Sequence, residues 1–257
     1  FAMKGVGAVF HLAALKHVDV VEDNPWEAVL TNIYGTQNII ETAIVNKVSL
    51  VVDVSTDKAV DAYNLYGVTK ACGEKLMINA NKLISNTKFI CLRGGNVLGT
   101  TGSVIPLFKE QILKYNEITI TDPDMTRFLM NTKEAIGLIF KAIQNNLGGE
   151  IFVLNMPATT VKVMGDSMIE LFGNKNTKIK IIGPRQGEKK HEVLISKNEI
   201  PFTEDKSDSY FTIHPSFRNV RINKPFAMEE FSSQNTKGLS KKELVSLLKK
   251  EKWLLRA

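Results

Sequence analysis

The stretch STDKAVDAYNLYGVTK, residues 55–70, decides the fold prediction for this chain. The run before it, from Val48 to Ser55, is apolar and β-branched, which is typical of a buried parallel strand. After Asn64 the pattern is helical, and Tyr66 and Lys70 lie four residues apart on one face of that helix. A strand end and the next helix therefore bring hydroxyl, carboxylate, ammonium and phenol groups to the edge where open α/β sheets bind ligands.

Strand and helix patterns alternate along most of the chain. We expect strands at 8–14, 48–55, 87–93, 117–121, 150–155 and 177–182, and helices at 26–46, 64–84, 103–115, 132–146 and 163–173. This alternation predicts an α/β fold with a doubly wound, Rossmann-like parallel sheet. From about Gly183 no clear period remains, which predicts irregular structure. Ser240 and Glu243 then form a capping-box pattern for a last helix, whose apolar stripe ends at residues 253–255.

The composition excludes several classes of protein. With 257 residues, 44% of them hydrophobic and 23% charged, the chain can bury a sizeable core. Cys72 and Cys91 have no spacing for a disulfide framework or a metal site, so we expect a cytoplasmic protein without a metal. The net charge is +6. The lysines are scattered among acids without an aromatic-basic stripe, and no membrane-spanning run occurs, so neither nucleic acid nor membrane is an expected partner.

The motif in residues 55–70 resembles the extended short-chain dehydrogenase/reductase family. In that family a tyrosine four residues before a lysine, after a strand-end Ser or Thr, is the catalytic signature, although Y-x-x-x-K alone also arises by chance on exposed helices. The triplet Thr56-Asp57-Lys58 is similar to inverting UDP-N-acetylglucosamine 4,6-dehydratases. The segment EEFSSQNTKGLSKKEL, residues 229–244, resembles capsular-polysaccharide dehydratase/epimerase proteins.

The resemblance implies five catalytic residues. Tyr66 would remove the proton of the sugar C4 hydroxyl, and the Lys70 ammonium would bring its pKa down from an ordinary value of about 10. Thr56 would hydrogen-bond the oxygen at C4. Lys58 would be the base at C5 and Asp57 the acid at the C6 hydroxyl, although a surface ion pair is the alternative interpretation of these last two.

The resemblance also implies a tightly bound, recycled NADP, with NAD possible. No G-x-G-x-x-G occurs at a strand-to-helix turn, and HLAALKHV, residues 11–18, resembles the family's fourth strand and the loop after it. We therefore expect the chain to lack three strands and two helices, about 65 residues, that carry the pyrophosphate cradle. The candidate cofactor ligands are Ala13, Ala14, Lys16, Asn32, Ser55, Tyr66, Lys70 and Arg93.

Three further segments resemble the substrate-binding half of the family: RGGNVLG at 93–99, MTRF at 125–128 and RQGEKKHE at 185–192. Gly94 and Gln186 replace the family's aromatic residue and proline. The candidate substrate ligands are His17, Asn96, Ser103, Val104, Arg127, Arg185 and Glu188. The two arginines suit a diphosphate, because a guanidinium binds phosphate in a bidentate manner, and Glu188 suits the ribose hydroxyls.

We therefore expect a partial NAD(P)-binding domain over 1–150 and a substrate-binding subdomain with a C-terminal helix over 151–257, with 103–130 also contributing to substrate binding. The expected reaction converts UDP-N-acetylglucosamine to a UDP-4-keto-6-deoxy-hexosamine, with C5 inversion, for surface polysaccharide synthesis. A UDP-sugar 4-epimerase of the same fold and an inactive fragment that binds nucleotide sugar are the alternatives. Family analogy implies a homo-oligomer.

Overall fold

The computed structural model describes residues 2–83, 86–100, 102–206 and 209–251. They divide between two compact units that interleave along the chain. The first unit draws on Phe1–Gly94, Lys133–Asn155 and Val193–Phe231, and the second on Gly95–Thr132, Met156–Glu192 and Ser232–Ala257. A single division at residue 150 does not reproduce these units, because each is assembled from three separate segments.

The described strands and helices follow the predicted alternation closely. The strands are β1 (Ala8–His11), β2 (Leu50–Thr56), β3 (Lys88–Gly94), β4 (Asn96–Val97), β5 (Glu117–Ile120), β6 (Thr126–Met130), β7 (Ile151–Leu154), β8 (Ala158–Thr160), β9 (Lys178–Ile181), β10 (Val193–Ile195), β11 (Thr203–Asp205), β12 (Tyr210–Ile213) and β13 (Phe231–Ser232). The helices are α1 (Val18–Asp23), α2 (Pro25–Ala28), α3 (Gly35–Val45), α4 (Leu65–Ala80), α5 (Val104–Tyr115), α6 (Thr132–Asn145), α7 (Val161–Phe172) and α8 (Lys241–Lys250). The strands β4, β6, β8 and β10 to β13 and helix α1 were not predicted.

The first unit is built on a six-stranded sheet in the order β1-β2-β3-β7-β12-β11. The first four strands are parallel to one another. At one edge, β12 pairs antiparallel with β7, and β11 pairs antiparallel with β12. Residues Leu50 to Asp53 of β2 are all buried, as the apolar β-branched run predicted. The predicted α/β class with a mainly parallel central sheet is confirmed. The two antiparallel strands come from the region for which irregular structure was expected.

The predicted helix over 26–46 is a helical stretch interrupted by a π-helical segment, Val29–Tyr34, between α2 and α3. A π-helical turn widens the helix by one residue and often lies at a functional site. Here it contains Asn32, which is buried and directed at the loop after β1.

The second unit has its own apolar core, in which α5, α7 and α8 contribute residues such as Phe108, Met164 and Leu248. The predicted strands at 117–121 and 177–182 exist as β5 and β9, but they pair with each other in a separate parallel pair instead of joining the central sheet. In α8 the predicted capping box is present: Ser240 N donates to Glu243 Oε2 at 2.8 Å, and Glu243 N donates to Ser240 Oγ at 3.3 Å. The predicted end of its apolar stripe, residues 253–255, lies outside the described residues.

Among the described helices, none combines the length and the apolar character needed to cross a bilayer.

Two helical glycines differ sharply in the room around them. A Cβ on Gly67 of α4 would overlap the backbone carbonyl oxygen of Lys58, whereas a Cβ on Gly137 of α6 would meet nothing within 4 Å. We expect Gly67→Ala to lower the free energy of unfolding by about 1–3 kcal/mol, because α4 and the turn at Lys58 must separate. The matched variant Gly137→Ala should raise it by about 0.5–1 kcal/mol through helix propensity alone. Urea denaturation of both variants measures the two effects, and the same sign for both would contradict this packing.

Candidate active site

The carboxyl end of β2 continues directly into a single 3₁₀ turn, Asp57–Ala59, that holds the first acid–base pair. Thr56 Oγ1 donates to Asp57 Oδ1 at 2.9 Å and accepts from Lys58 N at 3.4 Å, which fixes the start of the turn. Lys58 Nζ lies 2.9 Å from Asp57 Oδ1. The Asp57 side chain is 1% exposed and that of Lys58 is 21% exposed, so the pair is more than the surface ion pair of the alternative interpretation. Asp57 Oδ2 is buried and has no hydrogen-bond partner among the described residues.

The second group of reactive side chains lies on α4. Asn64 caps this helix, its Oδ1 accepting from Gly67 N at 2.8 Å, and Glu22 Oε1 accepts from Leu65 N at 2.7 Å. With its start fixed in this way, the helix presents Tyr66, Lys70 and Glu74, at four-residue intervals, on its buried face.

The environment of Tyr66 differs from the expectation. Burial raises the pKa of the Tyr66 phenol above its ordinary value. The ammonium groups of Lys70 and Lys58 and a hydrogen bond with Thr56 act in the opposite direction and offset burial only in part. Lys70 thus acts on the pKa of Tyr66 in the expected direction, but desolvation of the phenolate outweighs the nearby cations, so the net shift is upward.

Lys70 has a buried acidic partner of its own. Lys70 Nζ lies 3.3 Å from both carboxylate oxygens of Asp53 on β2, and both side chains are buried. On β1, His11 Nε2 is 3.9 Å from Asp53 Oδ1 and 3.2 Å from Thr36 Oγ1. Our sequence interpretation missed Asp53 and His11. A carboxylate inside the apolar run SLVVDVS was the available indication, because buried strands rarely carry an unpaired acid.

Asn32 acts on the backbone of the loop after β1. Its Oδ1 accepts from Leu15 N at 2.8 Å, and its Nδ2 donates to Leu15 O and to Thr69 Oγ1, both at 3.0 Å. Both amide donors are therefore used within the first unit. The expected cofactor role becomes an indirect one, since Asn32 positions the loop 12–17 and joins it to α4.

Arg93 does not offer its guanidinium to a cofactor. Its five N–H donors are all engaged, two with Glu74 at 2.7 and 3.1 Å, two with Glu199 at 2.9 and 3.0 Å, and one with Leu194 O at 2.8 Å. Arg93 is 2% exposed, and the charges of the two carboxylates raise its pKa despite burial. The prediction of Arg93 as a cofactor ligand is corrected: this residue ties β3 to α4 and to the segment around Glu199.

Replacement of Arg93 tests this structural role. We expect Arg93→Met to lower the free energy of unfolding by about 3–5 kcal/mol, because it leaves two carboxylates close together without their cation. Lys114→Met, which breaks an exposed ion pair with Glu110, is the control and should change stability little. Urea denaturation measures both. A normally stable Arg93→Met protein with weakened dinucleotide binding would instead restore the cofactor role.

The remaining candidates of the first unit lie at the ends of β1 and β2. Ala13, Ala14 and Lys16 belong to the loop after β1, in which Ala13 and Lys16 are exposed, and His17 is an exposed residue just before α1. Ser55 Oγ is buried and has no hydrogen-bond partner among the described residues. An orphaned hydroxyl at the carboxyl end of a parallel strand is a natural contact for a bound ligand.

The second unit carries the other substrate candidates. Asn96 begins β4. Ser103 lies at the N-cap position of α5, immediately before Val104, but its buried Oγ makes no capping bond and has no partner among the described residues. One guanidinium nitrogen of Arg127 on β6, Nη1, donates to two backbone carbonyl oxygens, Thr126 O at 2.8 Å and Lys190 O at 3.2 Å.

The segment 185–192 also belongs to the second unit. Arg185 is exposed, and its backbone N–H donates to Glu188 Oε2 at 3.1 Å. The Glu188 carboxylate therefore stabilises the turn between these two residues. A neighbouring network was missed by our sequence interpretation: Thr126 Oγ1 lies 2.8 Å from His191 Nδ1 and 2.6 Å from Ser233 Oγ. Burial, with the charges of Lys190 and Arg127, lowers the pKa of His191. The histidine in RQGEKKHE was the one indication of this network in the sequence.

Comparison with known proteins gives the class. Residues 1–215 match the model of a family described as polysaccharide biosynthesis protein. A UDP-glucose 4-epimerase from Rickettsia canadensis is 42% identical over an alignment of 257 positions that covers 96% of this chain and 75% of the relative. The crystal structure of Pen from Bacillus thuringiensis is 40% identical with a TM-score of 0.89, covering 97% of this chain and 77% of Pen. DesIV, a dTDP-glucose 4,6-dehydratase from Streptomyces venezuelae solved with NAD bound, is 21% identical with a TM-score of 0.68 over 73% of this chain and 64% of DesIV, a likeness that shows the fold alone.

These likenesses define an α/β protein of the Rossmann-like type shared with dehydratases and epimerases of nucleotide sugars. More narrowly, the chain belongs to the polysaccharide biosynthesis protein family. The predicted link to polysaccharide biosynthesis is confirmed, whereas the narrower assignment to the UDP-N-acetylglucosamine 4,6-dehydratases stays a prediction.

Proposed function

We propose that this protein is a nucleotide-sugar 4,6-dehydratase that converts UDP-N-acetylglucosamine to a UDP-4-keto-6-deoxy-hexosamine with inversion at C5. The observation that carries the proposal is the presence of two acid–base units near one strand end, Asp57 with Lys58 and Tyr66 with Lys70. Their proximity is reflected in the charges of Lys58 and Asp57 acting on the Tyr66 phenol. Epimerisation at C4 requires only a tyrosine unit, whereas loss of water across C5 and C6 requires a second base and a second acid.

The first step assigned to the chain is removal of the C4 hydroxyl proton by Tyr66, with Thr56 holding the same oxygen. A nicotinamide dinucleotide, NADP with NAD as the other possibility, would supply hydride chemistry when bound, taking hydride from C4 and returning it to C6. The orphaned Ser55 hydroxyl fits such a ligand, and NAD in the DesIV structure supports the class of cofactor. The residues that would hold it are Ala13, Ala14, Lys16, Ser55, Tyr66 and Lys70.

The elimination step is assigned to the Asp57–Lys58 pair. Passage of one proton from Lys58 Nζ to Asp57 Oδ1, across 2.9 Å, leaves an amine base and a carboxylic acid side by side. The Lys58 amine then takes the C5 proton, and the Asp57 acid protonates the C6 hydroxyl, which departs as water. The pair returns to ammonium and carboxylate, and the sugar carries a new C5–C6 double bond.

Recognition of the nucleotide is assigned to the second unit. Arg127 and Arg185 suit the diphosphate, because guanidinium groups bind phosphate oxygens through paired N–H donors. Asn96 offers an amide to diphosphate or sugar oxygens, and Glu188 suits the ribose hydroxyls. His17, Ser103 and Val104 complete the proposed set of substrate contacts. A homo-oligomer belongs to the proposal by family analogy alone.

A UDP-sugar 4-epimerase is the second candidate, and the name of the Rickettsia canadensis relative favours it. Such an enzyme would use Tyr66 and Lys70 as described and leave Asp57 and Lys58 without a chemical role. A non-catalytic protein that only binds nucleotide sugars is the third candidate.

Mass spectrometry of the product distinguishes the three. The chain is incubated with UDP-N-acetylglucosamine, and in parallel with UDP-glucose, in the presence of NADP or NAD. Loss of one water from UDP-N-acetylglucosamine supports the dehydratase. An isomer of unchanged mass, separated by chromatography, would establish the epimerase. Binding without any product, with dinucleotide present and the protein folded, would establish the non-catalytic binder.

A further inference from the structure

A buried carboxylate lies behind the proposed base. In the register of the central sheet, His11 of β1 and Cys91 of β3 flank Asp53 of β2 on either side. In-register residues of parallel strands point to the same face, so Asp53 is directed at α4 between these two neighbours. Lys70 of α4 meets it there with Nζ 3.3 Å from both oxygens. Asp53 is 0% exposed and Lys70 2% exposed, so solvent screens this pair very little.

The other charged groups near this pair have partners of their own, although the charge of Glu74 also raises the pKa of Asp53. Glu74, one turn further along α4, forms an ion pair with Arg93. Asp57 and Lys58, whose charges act on Tyr66, form an ion pair with each other. Burial lowers the pKa of His11, and the Asp53 charge acts in the opposite direction.

We propose that Asp53 is a positioning residue that holds the Lys70 ammonium and offsets its charge, so that Tyr66, Lys70 and Asp53 together set how readily Tyr66 loses its proton. The proposal rests on the proposed function only in taking Tyr66 as the base. Asp53 touches neither the substrate nor the phenol in this assignment and acts through Lys70.

The electrostatics of Tyr66 agree with this arrangement. Lys70 lowers the pKa of Tyr66, yet the net direction remains upward because of burial, and Asp53 is not among the groups that act on the phenol directly. Burial raises the pKa of Asp53 by desolvating its carboxylate, whereas the charges of Lys70 and His11 lower it. A cation whose charge is partly neutralised by a close carboxylate stabilises a nearby phenolate less than a lone cation does.

Titration of the Tyr66 phenol tests the proposal without any turnover. The ultraviolet absorbance of tyrosinate is recorded as a function of pH. Each protein is compared with its Tyr66→Phe counterpart, and the difference between the two titration curves is the contribution of Tyr66. Asp53→Asn should lower the Tyr66 midpoint by about one pH unit, because the Lys70 charge then acts on the phenol without compensation. In a Lys70→Met background the same substitution should leave the midpoint unchanged. Cys91→Ala, which alters the uncharged neighbour of Asp53 on the same sheet face, is the control and should not move it.

Asp53→Ser, a smaller neutral replacement, carries the same expectation and serves if Asp53→Asn does not fold. An unchanged or higher midpoint in the folded neutral variants would overturn the proposal, as would an equal fall in the Lys70→Met background. In an active enzyme the acid limb of the kcat–pH profile should move to lower pH with the phenol midpoint. A shifted midpoint in a chain that shows no turnover would support the role of Asp53 while counting against the proposed function, so the two failures are distinguishable.

Discussion

Replacement of Lys58 by methionine is expected to lower the rate of water loss from UDP-N-acetylglucosamine by about 10²–10⁴-fold, the usual contribution of a positioned general base. Methionine keeps most of the volume of the side chain and removes the amine that takes the C5 proton. Oxidation at C4 should persist, because Tyr66 and Lys70 remain. The measurements are product mass and the transient absorbance of the reduced nicotinamide.

Lys75→Met is the matched control for this variant, because Lys75 lies on the exposed face of α4. It should retain the rate of water loss. Binding of the nucleotide sugar, measured by calorimetry, should be the same in both variants. A Lys58→Met enzyme that eliminates water at the normal rate would remove Lys58 from the mechanism.

Replacement of Tyr66 by phenylalanine should abolish the reaction at an earlier point. The variant lacks the hydroxyl that accepts the C4 proton, so both oxidation and water loss should fall by about 10²–10⁴-fold. Tyr63→Phe removes a hydroxyl from an exposed residue three positions away and should be fully active. Rapid formation of reduced nicotinamide in Tyr66→Phe would show that another group is the base.

The two substitutions together separate the candidate reactions. If the protein is a dehydratase, both substitutions stop the loss of water, and only Tyr66→Phe stops the oxidation. If it is a 4-epimerase, Lys58→Met leaves inversion at C4 intact, while Tyr66→Phe removes it. Asp57 and Lys58 are therefore the residues on which the two functions can be told apart.

Much of the first unit follows from local patterns. The buried strand before Ser55, the helix after Asn64 and the shared face of Tyr66 and Lys70 were predicted, because each depends on residues that are close in sequence. The same holds for the capping box of α8. The motif at residues 55–58 predicted a reactive strand end, and the structure places its side chains in contact there.

Partners from distant parts of the chain were not predictable in this way. Glu199 binds Arg93 from 106 positions away, so a residue predicted to be a cofactor ligand is a buried structural cation. The pairing of β5 with β9, outside the central sheet, likewise depends on where the chain crosses between the two units.

The sequence by itself thus determined the class of fold and the set of reactive side chains, because strand and helix periodicity and capping act within a few residues. Only the tertiary structure decided the burial and the charged partners of these side chains. Burial opposes ionisation of Tyr66, Asp53 is paired with Lys70, and the side-chain amide of Asn32 is hydrogen-bonded to the loop after β1. The physical reason is that desolvation and charge pairing are set by neighbours brought together in folding, whose identity no local pattern encodes.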